Sequence, residues 1–375
     1  MTIQKNFKLS MAAIAASLLV AACGGGGGDS SSSSATPPSG ASQPAGNANS
    51  VAIVAPQTSV QAPTYVADSA HYAMFTAINS YRSNMGVGMV AQDLMLDLAA
   101  QNHAAYERVN LNSGAESSLG HTESSANPSF YEAWPYLRAR KAGTAANLWV
   151  GENVAAGYSA DFKDASEGQQ CVQQWINTVY HLQGLTTNAT SIGLGYAAPL
   201  GGNGPYTQLS FCVADFGVLS SSAPTAESSY NSINYYGGQQ IAVGSIVHAP
   251  YSNESNVALA MQVETPNPAP DLQTPGRPIM VLVNNQNGNV LTVDSFVLKD
   301  AAGNVVPARI IVEASAVAGS KATVTADVNN HVSKGVAFLL PLAPLSANTA
   351  YTATFAGARD GAPVNTSWQF TTAAS

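Results

Sequence analysis

Apolar residues recur at helical spacing through the first half of the chain and at strand spacing through the second. Met74, Phe75, Ile78 and Tyr81 follow a helical period. Asp68 or Ser69 stands where a cap is needed, and Gly86 and Gly88 end the run. Asp93 is placed to cap a second helix, with Leu94, Met95, Leu98, Ala99, Asn102, Ala105 and Tyr106 on or near one face. A third helix is predicted through Phe130, Trp134, Leu137 and Arg138, interrupted by Pro135. A fourth spans 164–179, with Gly168, Cys171, Val172, Trp175, Ile176 and Val179 as its apolar stripe. Ile192, Leu194 and Tyr196 then alternate as a strand, a glycine-rich turn follows, and 206–215 returns with Leu209, Phe211 and Val213 on one face.

Beyond Leu219 the helical period stops. A Ser- and Ala-rich linker, 219–234, leads into short β-rich runs at 240–247, 257–263, 279–283, 290–297, 308–312, 321–326, 335–340, 351–356 and 368–372. Gly, Pro, Asn and Asp separate them, a spacing that predicts an all-β sandwich over 235–375. It contains no cysteine, so packing alone must hold it.

The N-terminal end reads differently. Lys5 and Lys8 precede an apolar run at 11–20 and the small residues before Cys23, so 1–23 is read as a secretory signal. Its end resembles a bacterial lipobox, which implies lipidation at Cys23 and a membrane anchor of several acyl chains. Gly24 in place of an acidic residue implies the outer membrane, with the protein periplasmic or surface-exposed. Residues 24–66, rich in Gly, Ser and Pro, are read as a flexible tether; about 40 such residues span roughly 35 Å.

Composition narrows the function. The 375 residues are 46% hydrophobic and 10% charged, with a formal net charge of −8 and 14 Lys and Arg. No basic stripe exists, which excludes a nucleic-acid groove. Cys171 and Cys212 remain once Cys23 is set aside, and in an exported protein they are expected to pair. Gly193-Leu194-Gly195 fits a loose dinucleotide pattern but leads into a turn, not a helix, and is rejected. No phosphate loop, zinc-protease helix motif or nucleophile elbow is present. Ser159 alone imitates a hydrolase partner for His181.

The candidate chemistry lies in His121 of a polar loop, Glu152 in a glycine-flanked bend, and His181 just past the fourth helix. Two imidazoles suit zinc or another divalent metal, with Glu152 as a third ligand or as the group orienting a histidine or water. His103, within a helix, is read as a partly buried histidine bonded to a neighbour, Glu123 as solvated, and Asn153 as a loop holder.

Taken in order, Asn79-Ser80-Tyr81-Arg82, Gly120-His121, Gly151-Glu152-Asn153, the stretch from Trp175 to His181, Ile192-Gly193-Leu194-Gly195 and Tyr206-Thr207-Gln208 resemble the CAP superfamily of cysteine-rich secretory, antigen 5 and pathogenesis-related proteins. The resemblance covers 67–218 and implies a three-layer α-β-α sandwich. Eukaryotic members carry a second Glu where this chain has Thr178 and a second His where it has Pro205; His181 follows the bacterial pattern. The closing stretch, with Tyr351 and Trp368 as core anchors, looks like a bacterial immunoglobulin-like domain. The family implies binding of a lipid or sterol, a glycan or a protein partner more than catalysis. A metal-dependent hydrolase using His121, Glu152 and His181 is the rival reading, and a non-catalytic envelope spacer the third.

Overall fold

The structure is a computed structural model that describes residues 52–375 except 162, 203, 205, 222 and 225–236. The signal segment, Cys23, most of the tether and most of the linker lie outside the described residues. Helix α1 (Ala70–Met85) begins where Ser69 accepts the Tyr72 N–H and ends at Gly86, whose left-handed backbone (φ 82°) turns the chain. After strand β2 (Ala91–Gln92), helix α2 (Leu94–Ser113) is capped by Asp93, which accepts from the N–H groups of Met95 and Leu96.

The expected apolar face of α2 is rotated: Leu94, Met95 and Leu98 are exposed, while Leu96, Ala99, Ala100, His103, Ala104 and Tyr106 are buried. Closeness selects this face. A Cβ at Gly193 would lie 2.0 Å from the Leu96 carbonyl carbon, and one at Gly195 would lie 2.1 Å from the Ala100 oxygen. The alanines bring the helix backbone onto the sheet, and bulkier side chains must point away.

Pro135 opens helix α3 (Pro135–Ala142) instead of interrupting one, because a first-turn position needs no N–H. The segment carrying Glu152 is strand β3 (Leu148–Gly157), not a bend. Helix α4 (Asp164–Ile176) stops before Val179, and a short helix α5 (Tyr180–Leu185) follows. At the break Asn177 and Thr178 bond back to the carbonyls of Gln173 and Trp175. Strands β4 (Ser191–Ala197) and β5 (Ser210–Leu219) pair antiparallel, giving the sheet order β2-β4-β5-β3. The return strand thus starts later than expected.

Helices cover both faces of this sheet. Cys212, Ala214 and Phe216 of β5 join the core of α1, α4 and α5, whereas Phe211 and Val213 alternate toward α2. Cys171 of α4 and Cys212 of β5 form a disulfide across the first of these layers.

Residues 53–65, read from the sequence as the end of the tether, lie against the domain. Strand β1 (Ile53–Val54) pairs in parallel with β6 (Gly238–Gln239), and the Tyr65 hydroxyl donates to Asp97.

The C-terminal half is a two-sheet β-sandwich. It comprises β7 (Ile246–Ala249), β8 (Glu254–Val257), β9 (Ile279–Val283), β10 (Leu291–Lys299), β11 (Ala308–Val312), β12 (Val324–Ala326), β13 (Val336–Pro341), β14 (Ala350–Arg359) and β15 (Ala362–Thr372). The sheets run β10-β14-β15-β8 and β12-β11-β13-β9-β7. Tyr351 and Trp368 are buried between them, as anticipated. The strand expected at 257–263 is missing; chain 258–278 is irregular apart from an isolated bridge between Ala260 and Gly276.

The two halves share one core. A single apolar cluster contains Ile78 and Trp175 as well as Met280 and Phe338, and the buried Arg277 guanidinium donates to the Tyr81 hydroxyl at 3.1 Å. The described residues from 52 to 375 accordingly form one compact unit.

Candidate functional site

Strand β3 is an edge strand, so residues on either of its faces reach the same margin of the sheet. Gly151 is required there because a Cβ would meet the Trp149 ring at 2.7 Å. Glu152, fully buried at its side chain, accepts from His121 Nδ1 with Oε1 (2.9 Å) and from Arg138 Nη2 with Oε2 (2.6 Å). Arg138 also donates to the His121 carbonyl at 3.2 Å, so one buried cation holds both the carboxylate and the loop that carries the imidazole. Burial alone would raise the pKa of Glu152; the charge of Arg138, then those of His103 and His121, more than reverse this and hold it well below the usual carboxylate range.

Behind Glu152 lies a polar layer that the sequence reading did not anticipate. His103 is fully buried and bonds a neighbour, Glu123, at 3.0 Å, with its other nitrogen on the Gly120 carbonyl. Glu123, expected in solvent, is therefore buried; it also accepts the Tyr131 N–H. Glu107 is pushed up to about 7, chiefly by burial. Asp215 stands directly opposite Glu152 on β5, and neither of its oxygens has a donor. Burial and then the charge of Glu152 hold its pKa well above normal.

His181 sits in the first turn of α5. Its Nδ1 lies 3.2 Å from Thr178 Oγ1 and 3.2 Å from Glu264 Oε2. Asn153 donates to the His181 carbonyl at 3.0 Å, and a Cβ at Gly184 would lie 2.3 Å from Asn153 Oδ1, so Gly184 lets α5 sit against β3. The β-sandwich grips this helix from the other side: Glu264 accepts the Val179 and Tyr180 N–H groups, the Tyr180 hydroxyl donates to Asp327, and Gln183 bonds the backbone of His331 and Ser333.

The three residues singled out from sequence line one cavity of about 280 Å³, together with Trp149, Glu264 and His331. An adjoining cavity of about 240 Å³ shares His121, His181 and Glu264 and adds Leu119, Trp175 and Val263. The side chains of His121 and His181 are 24% and 18% exposed. Burial lowers the pKa of His121 against the pull of Glu152. Among the described residues no Lys or Arg lines either cavity.

Sequence reasoning missed Glu264 and His331, which come from the other half of the chain, and Arg138, which it read only as a helix position. The one usable signal was the Arg itself, an uncommon residue at a buried helical position. Ser159 bonds Asp161 and Glu167 and lines neither cavity, so it makes no pair with His181.

As metal donors, His121 and His181 are each backed by a carboxyl group at Nδ1, the arrangement that orients metal-bound imidazoles. Each Glu152 oxygen already accepts one hydrogen bond, from His121 and from Arg138, which suits Glu152 to orienting the His121 ring. Among the described residues no group of three or more His, Cys, Asp or Glu converges as a metal site. The chain matches no family model and no curated protein.

Proposed function

We propose that this is a cell-envelope protein of the CAP type that binds a ligand in the cleft between His121 and His181, with an immunoglobulin-like domain behind it. The observation that carries this reading is the shared cavity: a loop imidazole, a strand carboxylate and a helix imidazole, distant in sequence, line one concave site. The sheet covered by helices on both faces, the α4–β5 disulfide and the motif order support the family resemblance. Anchoring at Cys23 in the outer membrane is part of the same proposal and rests on the signal and lipobox alone.

The lining favours a neutral or cationic ligand. Glu152 and Glu264 are among the lining residues, and among the described residues no Lys or Arg is; Glu152 is paired with the buried Arg138, so it is chiefly Glu264 that a carboxylate or phosphate would enter against. A divalent metal in this cleft would be held by His121 and His181, with water completing its shell; it would supply a Lewis acid to a bound oxygen. Binding is preferred to hydrolysis because the resembled family implies ligand binding more than catalysis.

The test is to purify the full chain in detergent and identify bound small molecules and metals by mass spectrometry, comparing wild type with His121→Ala and His181→Ala. A neutral or cationic compound retained by wild type and lost from both variants is expected. Equal content in all three forms would overturn the assignment, and turnover of a peptide or ester substrate abolished by a chelator and by Glu152→Gln would establish the hydrolase reading instead.

A further inference from the structure

Glu264 belongs to neither the sheet nor the helices that build the rest of the cleft. It lies on the irregular stretch after β8, is 5% exposed, and inserts its carboxyl group between α5 and the cavity. Oε1 accepts the Val179 N–H at 2.6 Å; Oε2 accepts the Tyr180 N–H at 3.0 Å and lies 3.2 Å from His181 Nδ1. The other partner of that nitrogen is the Thr178 hydroxyl, which already donates to the Trp175 carbonyl at 3.0 Å. Its oxygen is thus left to accept. Nδ1 therefore donates to the Thr178 oxygen, with the Glu264 carboxylate at ion-pair distance favouring hydrogen on the same nitrogen, and Nε2 is the ring nitrogen that can meet a ligand.

The opposite wall repeats this pattern. His121 Nδ1 meets Glu152 Oε1 at 2.9 Å, so the two imidazoles present the same tautomer, each backed by an acidic side chain. One of these acids comes from the α/β domain and the other from the β-sandwich. Both cavities touch Glu264, His121 and His181, so the groove crosses the pair of histidines at the junction of the two halves.

We propose that Glu264 is a positioning residue of the cleft: it sets the ring orientation and tautomer of His181 as Glu152 does for His121, and the β-sandwich thereby completes the binding groove instead of serving as a spacer. This goes beyond the ligand-binding reading, on which it depends only for calling the cleft a binding site. The position where eukaryotic relatives of the resembled family carry their second Glu holds Thr178 here, and the acid arrives from another domain.

Long-range ¹H–¹⁵N correlation of the histidine rings in the full chain, solubilised in detergent at about pH 8, reads the tautomer without any ligand. The His181 signals are assigned by their loss in His181→Asn. Wild type should show His181 with hydrogen on Nδ1. Glu264→Ala should shift the two His181 nitrogens toward each other as the tautomers mix, with the His121 signals unmoved. Hydrogen on Nε2 in wild type, or unchanged His181 shifts in a folded Glu264→Ala protein, would overturn the proposal; if Glu264→Ala does not fold, the wild-type tautomer decides. Loss of ligand binding in general, with these ring signals as expected, would count against the proposed function alone.

Discussion

Replacing Arg138 by methionine tests whether one cation holds the acidic layer behind the cleft together. Arg138 is fully buried and surrounded by acids: Glu152 at 2.6 Å, Glu123 at 3.8 Å, with Glu107 and Asp215 beyond. Methionine fills similar space but leaves Glu152 with only the His103 and His121 imidazoles beside it. Removing one partner of a buried pair costs about 3–5 kcal/mol, because the remaining charge stays desolvated.

The pH dependence has a definite sign. In wild type the folded-state pKa of Glu152 is depressed, so its contribution is present above the unfolded value and lost only as pH falls through the lower folded one. Without Arg138 the burial effect prevails and the folded pKa moves above the unfolded value, so the variant becomes progressively less stable as pH rises. The difference between the two proteins should already be present near about pH 4, where wild-type Glu152 stays ionised, and should grow to about 3–5 kcal/mol near about pH 8 as the variant is forced to ionise the same desolvated group. Urea unfolding followed by tryptophan fluorescence at both pH values measures it. A second substitution, Glu152→Gln, placed on Arg138→Met, should recover more than half of the loss. A loss below about 1 kcal/mol at the higher pH, or one that does not change with pH, would refute the argument.

The other expectations concern the scaffold. Glu107 is raised from 4.5 to about 7, so its contribution is complete below the unfolded value and is lost as pH rises through the folded one; wild type should lose up to about 3 kcal/mol over that interval, and Glu107→Gln should flatten the fall in a pH series of denaturant unfolding. Replacing Cys171 and Cys212 together by alanine opens a loop with sequence separation 41. Thermal unfolding by circular dichroism should show a loss of about 4 kcal/mol, or roughly 8–16 °C in Tm. Gly193→Ala would place a Cβ 2.0 Å from the α2 backbone and should cost about 1–3 kcal/mol in denaturant unfolding; an unchanged midpoint would mean that α2 can slide.

Much of the scaffold was legible because its signals are local. Ser69 and Gly86 bound α1 as read, the α4 stripe is buried as read, and the two cysteines pair. The misreadings share a cause. Spacing alone puts Leu94, Met95 and Leu98 on the α2 face, whereas the glycines of β4, about 95 residues away, decide which side of the helix can approach the sheet. Pro135 was read by its effect inside a helix, and its actual first-turn place depends on where the chain enters. Glu123 looked solvated in a polar loop until His103 drew it inward.

For the cleft, the sequence determined the imidazoles and the strand carboxylate, since each stands in a recognisable local setting of glycines or beside a tryptophan-bearing helix. Tertiary structure decided what those groups can do. The buried cation that holds down the Glu152 pKa, the neighbour across the sheet at Asp215 whose pKa burial raises, and the acid from the β-sandwich beside His181 are contacts between distant segments; Glu264 and Val179 are separated by 85 positions. A periodic pattern records which face of an element is buried, but hydrogen-bond partners and electrostatic surroundings arise only when separate elements are packed together.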